Sequence, residues 1–162
     1  MPHTPDVVGE PSALRLLARS ARSSPVATAR ATLVGMSAAM RAPFWVHGKR
    51  LRGALGAQVE RTAQRSDADP ALVVSLRVAN GSIRQLSRTR TAWKNTCLYR
   101  SVAQYLVLKK YGRSAAIRIG IRSSPHEDEG DVAAHSWVLH DGPERVQDSE
   151  SGYEELGFPT RA

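Results

Sequence analysis

The sequence predicts an α+β protein, in which a helical and basic N-terminal half precedes a core of one helix and an antiparallel sheet. The first observation is the helical spacing of apolar residues in several stretches between residues 12 and 86. The second is that apolar and polar residues alternate in the segments that follow the helix beginning at Cys97. The third is Asp141-Gly142 between two such segments, a dipeptide typical of a tight hairpin. At this length, one domain over 1–162 is expected.

Residues 12–41 are rich in Ala, Arg, Leu and Met, and Pro25 predicts a break between two helices there. Ser12 is the candidate N-cap of the first helix. The first helix carries an apolar stripe of Leu14, Leu17, Ala18 and Ala21, and the second carries Leu33, Met36 and Met40. Each helix is therefore expected to bury one face.

Proline and glycine between Pro43 and Gly53 predict a loop. A further helix is expected to start at Asp69 and Pro70, because proline is well tolerated in the first helical turn. Its apolar residues are Val73, Val74, Leu76, Val78, Ala79, Ile83 and Leu86. We expect an interruption of this helix near Gly81.

The segment from Cys97 to Lys110 predicts a helix with one apolar face. Two lysines in its last turn complement the negative end of the helix, and Gly112 is the expected stop. Isoleucines that alternate with arginine and glycine over 115–121 then predict a strand with one buried face.

The remaining segments predict a hairpin. Residues 123–130 are polar and acidic and indicate a loop, and residues 132–140 predict the next strand. The Asp141-Gly142 turn then leads to a returning strand over residues 144–148. A sheet of antiparallel strands is the expected result.

The net charge of +8 is unevenly distributed. Residues 1–96 hold 15 Lys and Arg against 5 Asp and Glu, whereas residues 97–162 hold 8 against 10. A basic helical face can bind nucleic acid, anionic lipid or an acidic peptide, but it is more often only a solvated surface. Aromatic residues are few and do not interleave with the basic ones, which argues against the binding of single-stranded nucleic acid.

Other features restrict the location of the protein and its cofactors. No apolar run approaches the roughly 20 residues that span a bilayer, and the N-terminus does not have the pattern of a secretory signal. A single cysteine excludes an intramolecular disulfide and suits a reducing compartment, so a cytoplasmic protein is expected. The acidic segment 126–131 is interpreted as a solvated loop, because consecutive acidic residues cannot all face one metal ion. We expect no cofactor and no metal.

Three residues in order along the chain form a candidate catalytic triad. Cys97 begins a predicted helix, and His135 and Asp148 follow on predicted strands. This is the order of a papain-like or transglutaminase-like triad, in which histidine takes the thiol proton and aspartate orients the imidazole. Unpaired N–H groups at a helix N-terminus stabilise a thiolate. His135 and Asp148 are equally far in sequence from the Asp141-Gly142 turn, so they are candidate cross-strand neighbours.

Each member of the triad has an alternative interpretation. A lone cysteine at the start of a helix, such as Cys97, is more often a packed residue. His140 is a rival general base, but its odd spacing from His135 puts it on the other face of the strand. Asp141 competes with Asp148, although it is better explained as the turn residue.

The C-terminal half also carries a series of short motifs. They are Cys97-Leu98-Tyr99-Arg100-Ser101, Ile119-Gly120-Ile121-Arg122, Ala134-His135-Ser136-Trp137-Val138, Asp141-Gly142 followed by Asp148, and Tyr153-Glu154-Glu155-Leu156. This series resembles the lasso peptide biosynthesis B2 proteins, stand-alone leader peptidases of transglutaminase-like fold. The resemblance covers residues 93–156, and Ser136 stands where the family usually has alanine.

The resemblance implies a division of the single domain into a basic helical part, 1–92, and a cysteine peptidase core, 93–162. It implies that Cys97, His135 and Asp148 cut the leader from a ribosomally synthesised precursor peptide. The implied partners are that precursor, the leader-recognition B1 protein and the cyclase, or C protein, which forms the macrolactam with ATP. Two other functions stay open, namely acyl transfer as in transglutaminases and a non-enzymatic role in binding nucleic acid or scaffolding.

Overall fold

The computed structural model describes residues 24–59, 69–89, 94, 96–123, 132–141 and 154–156. Its elements are α1 (Pro25–Val46), α2 (Arg50–Leu55), α3 (Pro70–Thr89), α4 (Cys97–Lys110), β1 (Ala115–Ser123), β2 (Val132–His140) and β3 (Glu154–Glu155). Helix α4 packs against α1 and α3 and also against β1 and β2, so it lies between a helical layer and a sheet. These elements agree with the expected α+β class. None of the described helices is both long and apolar enough to cross a membrane.

Helix α1 starts where the sequence predicts a break but ends later than expected. Ser24 is the N-cap, its hydroxyl accepting a main-chain N–H at 3.4 Å, and Pro25 occupies the first turn. The helix then continues through Pro43, which was expected to begin a loop. Proline removes one helical hydrogen bond. The last turn is held by packing, because the ring of Trp45 lies 5.7 Å from that of Tyr105 on α4.

Two further predictions about the helices need correction. A short helix, α2, forms within the predicted loop and includes Gly53. Helix α3 begins at Pro70 as predicted, with the Asp69 carboxylate accepting a main-chain N–H at 2.9 Å, but it is not interrupted at Gly81. Gly81 is exposed and costs a helix only about 1 kcal/mol, which packing of the other face outweighs. The helix expected from Ser12 lies outside the described residues.

The helices α1 and α3 approach closely at Gly35. A Cβ atom at this position would lie 2.5 Å from the carbonyl oxygen of Ser75 and 2.9 Å from the Cβ of Val78. At the same crossing, Ser75 Oγ lies 2.8 Å from the carbonyl oxygen of Ala31 and 2.8 Å from the hydroxyl of Tyr111, which follows α4. The buried serine therefore connects three helices.

A continuous apolar core fills the space between α4 and its two neighbouring layers. Its fully buried large side chains include Leu72, Ile83, Val102, Val107, Leu108 and Ile117, and Leu76 and Val138 also belong to it. Full burial of one such side chain contributes roughly 1.5–3 kcal/mol, so this core is the main stabilising feature of the fold. It fixes α4, and with it Cys97, between the helices and the sheet.

The sheet has the order β2-β1-β3, and both pairings are antiparallel. Gly112, with a φ of 70°, ends the turn after α4 as predicted, and β1 extends two residues beyond its expected end at Ile121. In the register, Gly120 of β1 faces His135 of β2. The short strand β3 was not expected from the sequence, and the predicted returning strand 144–148 lies outside the described residues.

Candidate active site

Cys97 is the first residue of α4, as predicted. The N-cap, Thr96, has an extended backbone (φ −99°, ψ 161°), and its side chain makes no capping hydrogen bond within the described residues. The N–H groups of the first turn therefore keep their partial positive charge beside the thiol. The cysteine is a free thiol and is half-buried, so a small reagent or a peptide carbonyl can approach it.

A pair of serines fixes α4 against β2. Ser101 lies one helical turn after Cys97, on the same face of the helix, and is fully buried. Its hydroxyl donates to the carbonyl oxygen of Ser136 at 3.0 Å, and the two hydroxyl oxygens are 3.2 Å apart. Buried hydroxyl groups are costly unless they form hydrogen bonds, so this contact strongly favours one position of the helix on the strand. Ser136 directly follows His135.

The direction of the chain places Cys97 and His135 at the same end of the site. Residues 111–114 connect α4 to β1 by a short turn, and β1 is antiparallel to β2, so α4 and β2 run in the same direction. Going back one turn from Ser101 to Cys97 covers about 5.4 Å. Going back one residue from Ser136 to His135 covers about 3.3 Å. The main-chain positions of Cys97 and His135 are therefore expected at similar heights on two elements in contact.

The imidazole of His135 lies on the opposite face of β2 from the Ser136 hydroxyl. Its ring stacks beside that of Trp137, with centroids 6.2 Å apart and planes at 16°, as expected for residues that share one face of a strand. Trp137 also covers Gly120, where a Cβ atom would lie 2.8 Å from the indole ring. Within the described residues, Cys97 and His135 form no hydrogen bond with each other. β2 is at the edge of the described sheet. A contact between the His135 ring and the Cys97 sulfur would therefore have to form at this edge.

The rival residues lie at the other end of β2. His140 pairs with Ala115 at the start of β1, and the Asp141 N–H donates to the carbonyl oxygen of Ser114 at 3.2 Å. His140 is five residues further along the strand than His135, about 16 Å away. The histidine of β2 at the Cys97 end of α4 is therefore His135.

Asp148, the third residue of the predicted triad, lies outside the described residues, and so does the acidic segment 126–131. The role of Asp148 as the group that orients His135 stays a prediction.

Comparison with known families identifies the type of domain. The sequence profile described as the Transglutaminase-like superfamily matches residues 34–157, which is most of the chain. The chain belongs to the Transglutaminase-like superfamily. Its members are typically cysteine peptidases or transglutaminase-type enzymes. The comparisons with curated proteins and with solved structures gave no match.

The transglutaminase-like region begins within α1 and includes all three candidate residues, Cys97, His135 and Asp148. It therefore contains most of the helical layer as well as α4 and the sheet. A helix that begins with cysteine thus packs on the strand that carries the candidate histidine.

The residues that hold α4 against β2 in this transglutaminase-like domain were not expected from the sequence. The positions of Ser101 and Ser136 could have indicated this role. Ser101 is four residues after Cys97, on the same helix face, and Ser136 adjoins His135. Their mutual contact depends on how α4 is rotated on the sheet, which spacing does not determine. His47, at the end of α1, was also missed; its Nε2 lies 3.1 Å from the hydroxyl of the buried Tyr99 and links α1 to the first turn of α4.

Proposed function

We propose that this protein is a cysteine peptidase that removes the leader from a ribosomally synthesised lasso peptide precursor, the role of the B2 proteins. The observation that carries the proposal is a transglutaminase-like chain in which Cys97 begins α4 and the Ser101–Ser136 contact holds that helix beside His135. The ordered motifs around these residues support the B2 role among the activities of the superfamily.

In the proposed reaction, the Cys97 thiolate attacks the carbonyl carbon of the peptide bond between leader and core. The carbon–nitrogen bond breaks as His135 gives its proton to the departing amine of the core. The leader is then held on Cys97 as a thioester. His135 takes a proton from a water molecule, and that water hydrolyses the thioester. Asp148 would stabilise the imidazolium, and the main-chain N–H of Cys97 is a candidate donor to the oxyanion.

The proposal requires the His135 ring to approach the sulfur from the edge of β2. Catalytic hydrogen bonds are often long or poorly aligned in proteins without substrate and shorten when substrate binds. The rate of Cys97 alkylation as a function of pH tests this step directly. We expect the His135→Ala variant to lose alkylation at neutral pH, whereas the matched His140→Ala variant keeps it. Equal rates in the two variants would remove His135 from the mechanism.

The proposed partners divide the pathway between separate proteins. A leader-recognition B1 protein would present the precursor, and a C protein would join the freed core amine to an acidic side chain of the core. This chain contains no Gly-rich loop ending in Lys-Ser or Lys-Thr, so we assign the ATP-dependent step to the cyclase.

The proposal is tested by mass spectrometry of a cognate precursor peptide incubated with the protein and its recognition partner. Separate leader and core fragments are expected from the natural protein, and intact peptide from a Cys97→Ala control. An intact precursor in both samples, with Cys97 alkylated no faster than an ordinary thiol, would exclude the peptidase.

Membership of the Transglutaminase-like superfamily also supports a second function, acyl transfer to an amine. The same thioester then reacts with an amine in place of water. Adding a primary amine to the incubation separates the two functions, because hydrolysis leaves a free carboxylate on the leader and transfer leaves an amide of different mass.

A further inference from the structure

A groove of about 450 Å³ lies between α1 and α4, and its described lining comes from these two helices. Its apolar lining consists of aliphatic side chains, Leu33, Val34 and Ala38 of α1 and Leu106 of α4. Leu106 is nine residues after Cys97 along the helix, which corresponds to about 14 Å. The groove is therefore a separate site from the one that contains the thiol.

Among the described residues, the polar lining of the groove is cationic apart from one serine. Arg30 and Arg41 of α1 and Lys109 and Lys110 of α4 line it, and no carboxylate of the described ranges does. Helices α1 to α4 contain no Asp or Glu at all. In the described part of the chain, no ion pair neutralises these four side chains. Their mutual repulsion favours an anionic ligand.

An exposed apolar stripe continues the groove along α1. Leu33 is 67% exposed and Phe44 is 75% exposed, and Met36 and Met40 lie between them at helical spacing. Large exposed apolar surface of this kind marks a binding site more often than a solvated face. A ligand that offers phosphates alone would leave this surface uncovered, and the aliphatic lining provides no aromatic platform for bases.

We propose that the groove binds an amphipathic, acidic peptide helix of a partner. Its carboxylates pair with Arg30, Arg41, Lys109 and Lys110, and its apolar side chains cover Leu33 and the stripe that follows. A helix laid into a groove between two helices is a common mode of peptide recognition. The inference goes beyond the proposed reaction, because it concerns binding at a different part of α4.

The segment that precedes α1 in the chain is not acidic. Residues 1–23 hold three Arg against one Asp and one Glu and are themselves basic. The acidic residues 124–131 follow Ser123 in the chain, and Ser123 lies one length of β1, about 30 Å, from Ala115.

The test measures fluorescence anisotropy with the full-length Cys97→Ala protein, so that cleavage plays no part. The probe is a fluorescein-labelled amphipathic helix of glutamate and leucine. We expect the Arg41→Glu/Lys109→Glu variant to bind it about tenfold more weakly. The matched control, Arg84→Glu/Arg88→Glu, changes two exposed arginines of α3 outside the groove and should bind it within about twofold of the parent protein.

A third variant, Leu33→Ser, tests the apolar part of the groove. It should also weaken binding of the probe, and the folding of all variants is checked by circular dichroism. Polyglutamate without leucine, and the same helix with lysine in place of glutamate, should bind weakly to the parent protein.

Several results would overturn the proposal. An equal loss of affinity in Arg41→Glu/Lys109→Glu and in Arg84→Glu/Arg88→Glu would mean that binding of the peptide depends only on the net charge of the protein. Tighter binding of single-stranded DNA or of anionic lipid vesicles than of the peptide would assign the surface to another ligand. Sedimentation that shows self-association dependent on Arg41 and Lys109 would mean that the surface is an interface between copies of the chain. Since binding is measured without cleavage, a failed peptidase assay leaves this result intact.

Discussion

The two sides of α4 are fixed by different kinds of contact. On the side of the helical layer, glycine allows α1 and α3 to approach closely at Gly35, and apolar side chains fill the core. On the side of the sheet, the Ser101–Ser136 hydrogen bonds set the helix beside the strand that carries His135. On the side of the helical layer, stability thus depends mainly on how well the side chains fill the core. On the side of the sheet, a specific hydrogen bond also sets the position of the Cys97 thiol. Substitutions in the two regions should therefore have separable effects.

The largest effect is expected from Cys97→Ala, which removes the proposed nucleophile from the sheet side. Cleavage should fall by more than about 10³-fold, since a nucleophile cannot be replaced by binding energy alone. The free energy of unfolding should change by less than about 1 kcal/mol, because the thiol is only half-buried. Rates of precursor cleavage and urea unfolding measure the two quantities. Residual cleavage near the natural rate would assign the chemistry to another group.

The next effect is expected from Gly35→Ala in the helical layer. The added methyl group would meet the carbonyl oxygen of Ser75 at 2.5 Å, so α1 and α3 must move apart at a cost of about 2–3 kcal/mol. Gly81→Ala is the matched control, since a Cβ there meets nothing within 4 Å and alanine favours helix by up to about 1 kcal/mol. Urea unfolding should therefore give changes of opposite sign. The same loss in both variants would show that the helix crossing does not depend on close approach.

A third comparison uses one buried serine from each side of α4. Ser101→Ala and Ser75→Ala each remove a buried hydroxyl and should each lower the free energy of unfolding by about 1–2 kcal/mol. Only Ser101→Ala should also lower the rate of cleavage by the folded protein, because only this serine sets the position of Cys97 relative to β2. An equal fall in rate for the two variants would mean that the sheet contact has no special part in positioning the thiol.

Much of the fold is predictable because its signals are local. Asp69 and Pro70 mark the start of α3, and Gly112 marks the end of α4. The continuation of α1 past Pro43 was missed because the packing of Trp45 on α4, a tertiary contact, outweighs a local breaker. These differences lie where distant parts of the chain meet.

The short elements α2 and β3 depend on the same kind of distant contact. The Arg118 guanidinium donates to the carbonyl oxygens of Leu55 and Ala57, at 3.0 and 3.2 Å, and so ties the end of α2 to β1. Strand β3 pairs two glutamates, Glu154 and Glu155, with β1, although glutamate has low strand propensity.

The candidate site was predictable to a similar extent. The position of Cys97 at a helix N-terminus and that of His135 on a strand follow from hydrophobic spacing, and the structure has both. The face of β2 that carries the His135 ring depends on how the strand is set against α4, which alternation alone leaves undetermined. The Ser101–Ser136 contact could not be predicted for the same reason, since it also depends on how β2 is set against α4.

The smallest effect is a pH dependence that belongs to the helical side of α4. Burial raises the pKa of the Tyr105 hydroxyl above its ordinary value of 10.0. The folded state therefore holds this proton more tightly than the unfolded state does, and the associated stability is complete below pH 10 and is lost as the pH rises through the folded-state pKa. Urea unfolding of the natural protein should show this alkaline loss, and Tyr105→Phe should reduce it. Because Tyr105 contacts Trp45 of α1, the loss should be accompanied by a change in tryptophan fluorescence. If the Tyr105→Phe variant loses as much stability at alkaline pH as the natural protein, the titration belongs to a different group. The contrast between the two sides of α4 would then rest on the serine and glycine variants alone.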